Sequence, residues 1–148
     1  MSEVLIRGQI KVILETVSGI GVVHGYERYS RSLAELFVLM TKNGKVNGWM
    51  IHRASTESTR EVSQLVNRSH EFKIMGLYEL DDVAASEVTF QALLEAIFDA
   101  FKSKNTLNGT AIDSDPVNID NVDTQEYGNR LFHTAELSLV VRERTTYI

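Results

Sequence analysis

Four histidines, His24, His52, His70 and His133, and an acidic run from Asp113 to Glu126 are the residues whose types suggest metal or acid–base chemistry. The histidines lie far apart, and none has a second histidine three or four residues on, as helical zinc sites usually do. A zinc site would therefore have to assemble in space. His133 falls on the apolar register of a strand-like segment, where a hydrogen-bonded core imidazole is the simpler reading. Asp113-Ser114-Asp115 begins like a calcium loop, but Val117 takes its fifth position and its sixth is not glycine. Gly19-Ile20-Gly21, followed by Gly25, misses the dinucleotide fingerprint because the third glycine is displaced and the glycines follow a helical pattern. A phosphate-cradling Gly-Lys-Ser/Thr sequence and a Gly-x-Ser-x-Gly elbow are both absent from the chain. These spacings predict no catalytic residues, no cofactor and no metal.

A different set of residues suits binding between proteins. Tyr26, Arg28, Tyr29, Trp49 and Arg53 belong to the types enriched at the centres of interfaces, and they fall on neighbouring predicted strands. Arg60 and Arg68, from the polar stretch that follows, complete a candidate subunit or partner interface. Asp113, Asp115, Asp120, Asp123 and Glu126 form a second set, five acids with no base between them.

The elements that must position these residues are read from periodicity. A helix starts near Ser2 and Glu3 and carries Ile6, Ile10, Ile13, Leu14 and Val17 at helical spacing until Gly19 and Gly21 end it. Val22 to Tyr29 and Leu36 to Met40 read as strands. Lys42-Asn43-Gly44-Lys45 supplies the positive φ values of a type I′ turn, so a hairpin continues into Val46 to Arg53. Residues 54–69 hold few apolar members and are expected to form a long, mobile polar loop. Phe72 to Leu80 alternates as a strand. Ser86 is expected to cap a helix with Phe90, Leu93, Leu94, Ile97, Phe98 and Phe101 on one stripe. Asn108-Gly109 marks a turn, and Pro116 confines the acidic segment to an edge strand or loop. A long final strand points Leu131, His133, Ala135, Leu137, Leu139 and Val141 one way. The economical arrangement is one α+β domain over residues 1–148, with a mainly antiparallel β-sheet and two α-helices packed on one face.

A chain of 148 residues can bury about 70% of its unfolded surface, enough for one core. Its apolar runs fall short of the roughly 18 residues of a membrane span, and its N-terminus lacks the order of a signal peptide. With no cysteine, assembly in a reducing cytoplasm is expected. The net charge of −5 hides an asymmetry: residues 1–70 hold nine Lys/Arg against six Asp/Glu, and residues 71–148 hold six against fourteen. That balance argues against a DNA-coating protein and suits a subunit whose two sides attract each other.

The layout as a whole resembles the tail terminator, or tail completion, proteins of tailed bacteriophages, also called neck or minor tail proteins. The likeness spans an N-terminal helix, Gly21-Val22-Val23-His24-Gly25-Tyr26-Glu27-Arg28-Tyr29, the Asn43-Gly44 turn, and Val46-Asn47-Gly48-Trp49-Met50-Ile51-His52-Arg53. It continues through Phe72 to Asp82, the helix from Ser86 and the terminal strand. The resemblance implies a structural virion protein rather than an enzyme. Such a protein forms a ring, commonly a hexamer, at the head-proximal end of the tail tube, in the neck of a particle assembled in the host cytoplasm. The implied partners are further copies of the chain, the tail tube protein, the head connector or adaptor and, in contractile tails, a sheath terminator. DNA passes through without specific binding, and the five acids become candidate lumen residues. A head completion or head-tail joining subunit is the alternative within structural proteins. A small ligand-binding domain or enzyme is the alternative outside them.

Overall fold

The computed structural model describes residues 2–146. Helix α1 (Ser2–Glu15) forms where the sequence predicts it. Ile6, Ile10, Ile13 and Leu14 are buried along one stripe, and Glu3 and Arg7 pair at 2.9 Å, one helical turn apart. Gly19, at φ 87°, turns the chain into β1 (Val22–His24). A Cβ on Gly21 would overlap the Asn47 carbonyl, so only glycine lets β1 lie this close to its neighbour.

Three expectations fail between residues 25 and 69. The strand expected through Tyr29 stops at His24, since Gly25, Glu27 and Ser30 offer little that favours an extended ladder. Leu36 to Met40 is not a strand but lies in and just after α2 (Leu33–Leu39), a third helix. Ser32 caps it by accepting the Glu35 N–H at 3.2 Å, while the Glu35 carboxylate accepts the Arg31 N–H at 3.0 Å. That reciprocal Ser-x-x-Glu arrangement, close to a capping box, outweighs the strand-like look of a short apolar run. The polar loop expected at 54–69 is instead the paired arms of β3 (Lys45–Val62) and β4 (Leu65–Glu79). Only residues 63 and 64 separate the two arms. Its threonines suit strands, and β4 residues 65–71 find a second partner in residues 140–146. Hydrogen bonds on both sides of β4 hold a segment that has little apolar surface to bury.

The hairpin at Asn43-Gly44 is present, with φ of 56° and 76°, joining β2 (Thr41–Lys42) to β3. Helix α3 (Ser86–Lys102) buries Phe90, Leu93, Leu94, Ile97 and Phe101, while Phe98 is only partly covered. Ser86 does not cap it. Ala85 takes the cap position at φ 55° with no side-chain bond, and the Ser86 hydroxyl turns back into the protein. There it accepts the Asp81 N–H at 2.8 Å and lies 2.8 Å from His133 Nε2. The hydroxyl thus joins the Asp81 backbone and the His133 imidazole in one buried hydrogen-bonded group.

The remaining strands are β5 (Asp113–Ser114), β6 (Asn118–Tyr127) and β7 (Arg130–Thr146). Sheet order is β1-β3-β4-β7, with β5 and β6 on the outer side of β7 and β2 beside β3; every pairing is antiparallel except β1 with β3. The acidic segment is thus an edge strand, as Pro116 required. Because side chains alternate along a strand, the sheet feeds two apolar clusters. Trp49, Ile51, Phe72, Ile74, Leu137, Leu139 and Val141 join residues of α1 and α3, while Met50, Leu77 and Phe132 join Met40, Val46, Leu36 and Phe37. Leu131 falls outside the row expected of it and is half exposed; the buried row is His133, Ala135, Leu137, Leu139 and Val141. Among the described residues, no helix is long and apolar enough to cross a membrane.

Phe90 packs against Trp49, Tyr78 and His133 at ring separations of 5.5 to 6.1 Å. Phe90→Ala should destabilise the fold by about 3–5 kcal/mol and lower the melting temperature by roughly 10 °C, with a smaller loss for Phe98→Ala. Thermal denaturation followed by circular dichroism measures both.

Candidate assembly surface

The seven predicted interface residues divide into three groups. Trp49 leaves the surface altogether. It is 0% exposed, its indole N–H donates to Asn47 Oδ1 at 2.9 Å, and its ring covers Gly76 on the neighbouring strand. An aromatic on a central strand of a two-sided core is drawn inward because its apolar area is the larger part of its chemistry.

Tyr26, Arg28 and Tyr29 come together in the irregular segment between β1 and α2, at the β1 end of the sheet. His24 ties this segment down. Its Nε2 lies 2.8 Å from the Leu39 carbonyl and so must carry the proton, leaving Nδ1 to accept from Arg28 Nη1 at 3.3 Å. The Arg28 backbone N–H reaches Met50 Sδ at 3.4 Å, and its guanidinium sits 5.3 Å from the centre of the Tyr26 ring. Tyr29 is 82% exposed and donates to Glu27 at 2.6 Å. That bond, then the charge of Glu27, raises the Tyr29 phenol above its ordinary pKa. Arg31, which the sequence reading did not single out, is exposed beside it, and its guanidinium has no ion-pair partner among the described residues.

Arg53, Arg60 and Arg68 share one face of the long β3–β4 arm, because the register sets Arg60 opposite Val66, Arg68 opposite Ser58 and Arg53 opposite Phe72. Arg53 and Arg68 act on a buried pair that the residue order did not suggest. His70, wholly buried, lies 3.4 Å from Glu143, which is 4% exposed and also 3.4 Å from Arg68 Nη1. Thr56 Oγ1 meets His70 Nδ1 at 2.8 Å. Burial is the largest influence on His70 and lowers its pKa; the charge of Glu143 opposes this, and Arg68 and Arg53 add to it. Only the register, which pairs residues about 75 positions apart, could have revealed Arg68 and Glu143 as neighbours.

The five acids are not equivalent. Asp113 and Asp115 both hold Arg142, at 2.5 and 2.8 Å, and the bond from Arg142 lowers the Asp115 pKa while the guanidinium's own pKa rises. Asp120 lies 3.6 Å from Lys73, which also bridges to Glu136 at 3.3 Å. Burial works against the Lys73 ammonium, but the bond to Glu136 and the surrounding acids outweigh it and raise its pKa. Asp123 and Glu126 have no such cation among the described residues, and β6 leaves its outer edge without a strand partner.

Beside β6 the second sheet face opens into a cavity of about 530 Å³. Leu36, Met40, Met50, Met75 and Leu77 supply an apolar floor, and Asp123, Gln125, Thr134 and Glu136 a polar rim. The three methionines come from α2's end, β3 and β4, so sequence order conceals the site. No protein-family model and no curated protein matches this chain. Among the described residues, no group of three or more histidine or carboxylate side chains is placed to hold a metal ion.

His70 and His133 are both buried, and burial is the largest influence lowering each pKa. Above pH about 6.5 native and unfolded chains both keep these imidazoles neutral, so neither affects stability there. As pH falls below that value the unfolded chain takes up protons that the native state refuses. Stability should then fall by up to about 1.4 kcal/mol per pH unit for each histidine. Urea unfolding at pH 7.5, 6.5 and 5.5 tests this, and His133→Asn should flatten the slope.

Proposed function

We propose that this chain is a structural subunit that closes into a ring through two unlike ends of its sheet, in the manner of phage tail terminator proteins. The observation that carries the reading is the contrast between those ends. The β1 end presents Tyr26, Tyr29 and Arg31, whereas the β6 end presents a strand edge with Asp123 and Glu126 that, among the described residues, has neither a strand partner nor a compensating cation. Unlike faces that complement each other give heterologous contacts, and heterologous contacts close into rings when the rotation permits. A free strand edge is itself a template for another chain.

In this reading α1 and α3 cover one sheet face, and α2 occupies the other. The long β3–β4 arm, exposed and polar over most of β3 beyond Arg53, reaches outward as the contact with the tail tube or the head connector. Its residues belong to a hydrogen-bonded ladder, so it meets a partner as a preformed arm, not as a loop that orders on binding. DNA is a passenger with no binding site, consistent with a net charge of −5. A bore lined by all five acids fits poorly, because Arg142 and Lys73 already engage Asp113, Asp115 and Asp120. The site of action is the neck of a virion.

Sedimentation velocity at micromolar concentration, with negative-stain electron microscopy of the same sample, tests the reading. A ring of about six subunits is expected, weakening as salt rises from 0.1 to 1 M because the edges attract partly through charge. A monomer at all concentrations that neither binds nor caps tail tubes would overturn it. A ring that binds a head portal but not a tube would move the protein to the head completion role.

A further inference from the structure

An asparagine that precedes glycine can lose its side-chain amide without an enzyme, because no side chain shields the glycine nitrogen from the neighbouring carbonyl carbon. The chain holds eight asparagines, and three of them, Asn43, Asn47 and Asn108, precede glycine. The fold treats these three differently. We propose that Asn43, at the tip of the β2–β3 turn, is a site of spontaneous conversion to aspartate and isoaspartate, and that the isoaspartyl form opens this hairpin.

Asn47 is locked in place. Its amide nitrogen donates to the Gly19 carbonyl at 2.9 Å, its amide oxygen accepts the Trp49 indole N–H at 2.9 Å, and Gly48 is buried against Met40. Asn108 is exposed, but both reacting groups are engaged. Its amide donates to Gln9 Oε1 at 2.8 Å, and the Gly109 N–H donates to the Thr106 carbonyl at 3.0 Å. Asn43 and Gly44 are both exposed, and among the described residues neither the Asn43 amide nor the Gly44 N–H has a hydrogen-bond partner. The space beside Gly44 is open, since a Cβ there would meet nothing within 4 Å.

The reaction needs only water. The Gly44 nitrogen, having given its proton to hydroxide, bonds to the Asn43 side-chain carbonyl carbon, and the side-chain nitrogen leaves as ammonia. The resulting succinimide ring takes up one water. Opening at the side-chain carbonyl gives aspartate on the original main chain, whereas opening at the main-chain carbonyl gives isoaspartate, with the chain rerouted through the side-chain carbons. Isoaspartate thereby adds a backbone atom to a turn of two residues. The turn, with Asn43 at φ 56° and Gly44 at φ 76°, matches the twist of the flanking strands only at its original length. The pairs Lys42 with Lys45 and Thr41 with Val46 depend on that match, as does the 2.8 Å bond from the Asn47 N–H to the Met40 carbonyl.

The unchanged protein, held at mildly alkaline pH, supplies the test. Cleavage after glutamate gives peptides 36–57 and 96–126, which between them hold all three sites. Fragmentation should place a gain of about 1 Da, an amide exchanged for a carboxyl group, on Asn43 at least about tenfold faster than on Asn47 or Asn108, whose hydrogen bonds must first break. In urea, where those bonds are lost, the three rates should converge. Asn43→Gly keeps a turn-forming pair without the amide, so its peptide should hold its mass. If Asn47 or Asn108 converts as fast as Asn43 in the native protein, or if Asn43 is stable there and converts only in urea, the assignment is wrong. A lead for Asn43 that persists undiminished in urea would also overturn it, because the fold would then not be the selector. Converted chains carry one more negative charge and separate by anion exchange. Hydrogen exchange over residues 41–47 should quicken in the isoaspartyl fraction and stay unchanged in Asn43→Asp, which has the charge without the extra backbone atom. Equal exchange in the two would show the hairpin still closed and overturn the second half of the proposal.

Discussion

The hydrogen-bond ladder of β4 is the constraint on which the rest of the structure depends. β4 is paired with β3 on one side and β7 on the other along almost its whole length. Backbone groups satisfied on both sides hold the strand extended whether or not its side chains are apolar. The inner half of this ladder carries Phe72, Ile74 and Leu77 into the two apolar clusters. The outer half carries Asn67, Arg68, Ser69 and His70 past them, and there a polar arm is rigid without a core of its own. The same ladder aligns Arg68 with Glu143 and buries His70 against it. A buried pair of this kind contributes little net stability, because desolvation offsets attraction, but breaking it by removing one partner is costly.

Pairing across strands also decides which charges remain available. On β7, Arg142 draws in Asp113 and Asp115, and on β4, Lys73 draws in Asp120 and Glu136. These contacts fasten the edge strands to the sheet and quench most of the acidic run. Asp123 and Glu126 on β6 have no ion-pair partner among the described residues, nor does Arg31 just before α2. Exposed pairs within one chain are worth little at equilibrium, yet unmatched charges at opposite ends give direction to association.

Close packing explains the positions of two glycines and the loss of the one tryptophan to the interior. Trp49 lies across Gly76, where a Cβ would collide with the indole, and Phe90 of α3 stacks on the other side at 6.1 Å. Gly48 plays the same part against Met40 on the second face, where a Cβ would meet the methionine sulfur. β3 is thereby held closely from both sides, with the helical residues before it fixing Met40 over one face of the cavity floor.

Local sequence determined the elements whose signals are local. The stripes of α1 and α3, the Asn43-Gly44 hairpin, the alternation of Phe72 to Leu80, and the edge placement forced by Pro116 all depend on neighbours a few residues away. Even α2 was legible in Ser32 and Glu35, though a short apolar run spoke louder. Tertiary structure alone decided the state of residues 54–69, because a strand polar on both faces has no period to read and needs β7, about 75 residues away, to hold it. It alone sent Trp49 inward while leaving Tyr26 and Tyr29 outside, since aromatic type does not say which side of a sheet a residue will face. It also sorted five similar carboxylates into three that meet a cation and two that meet none among the described residues, because the matching cations lie on other strands. The physical reason is common to all three: sequence carries what a residue prefers, and only the fold carries what lies across from it.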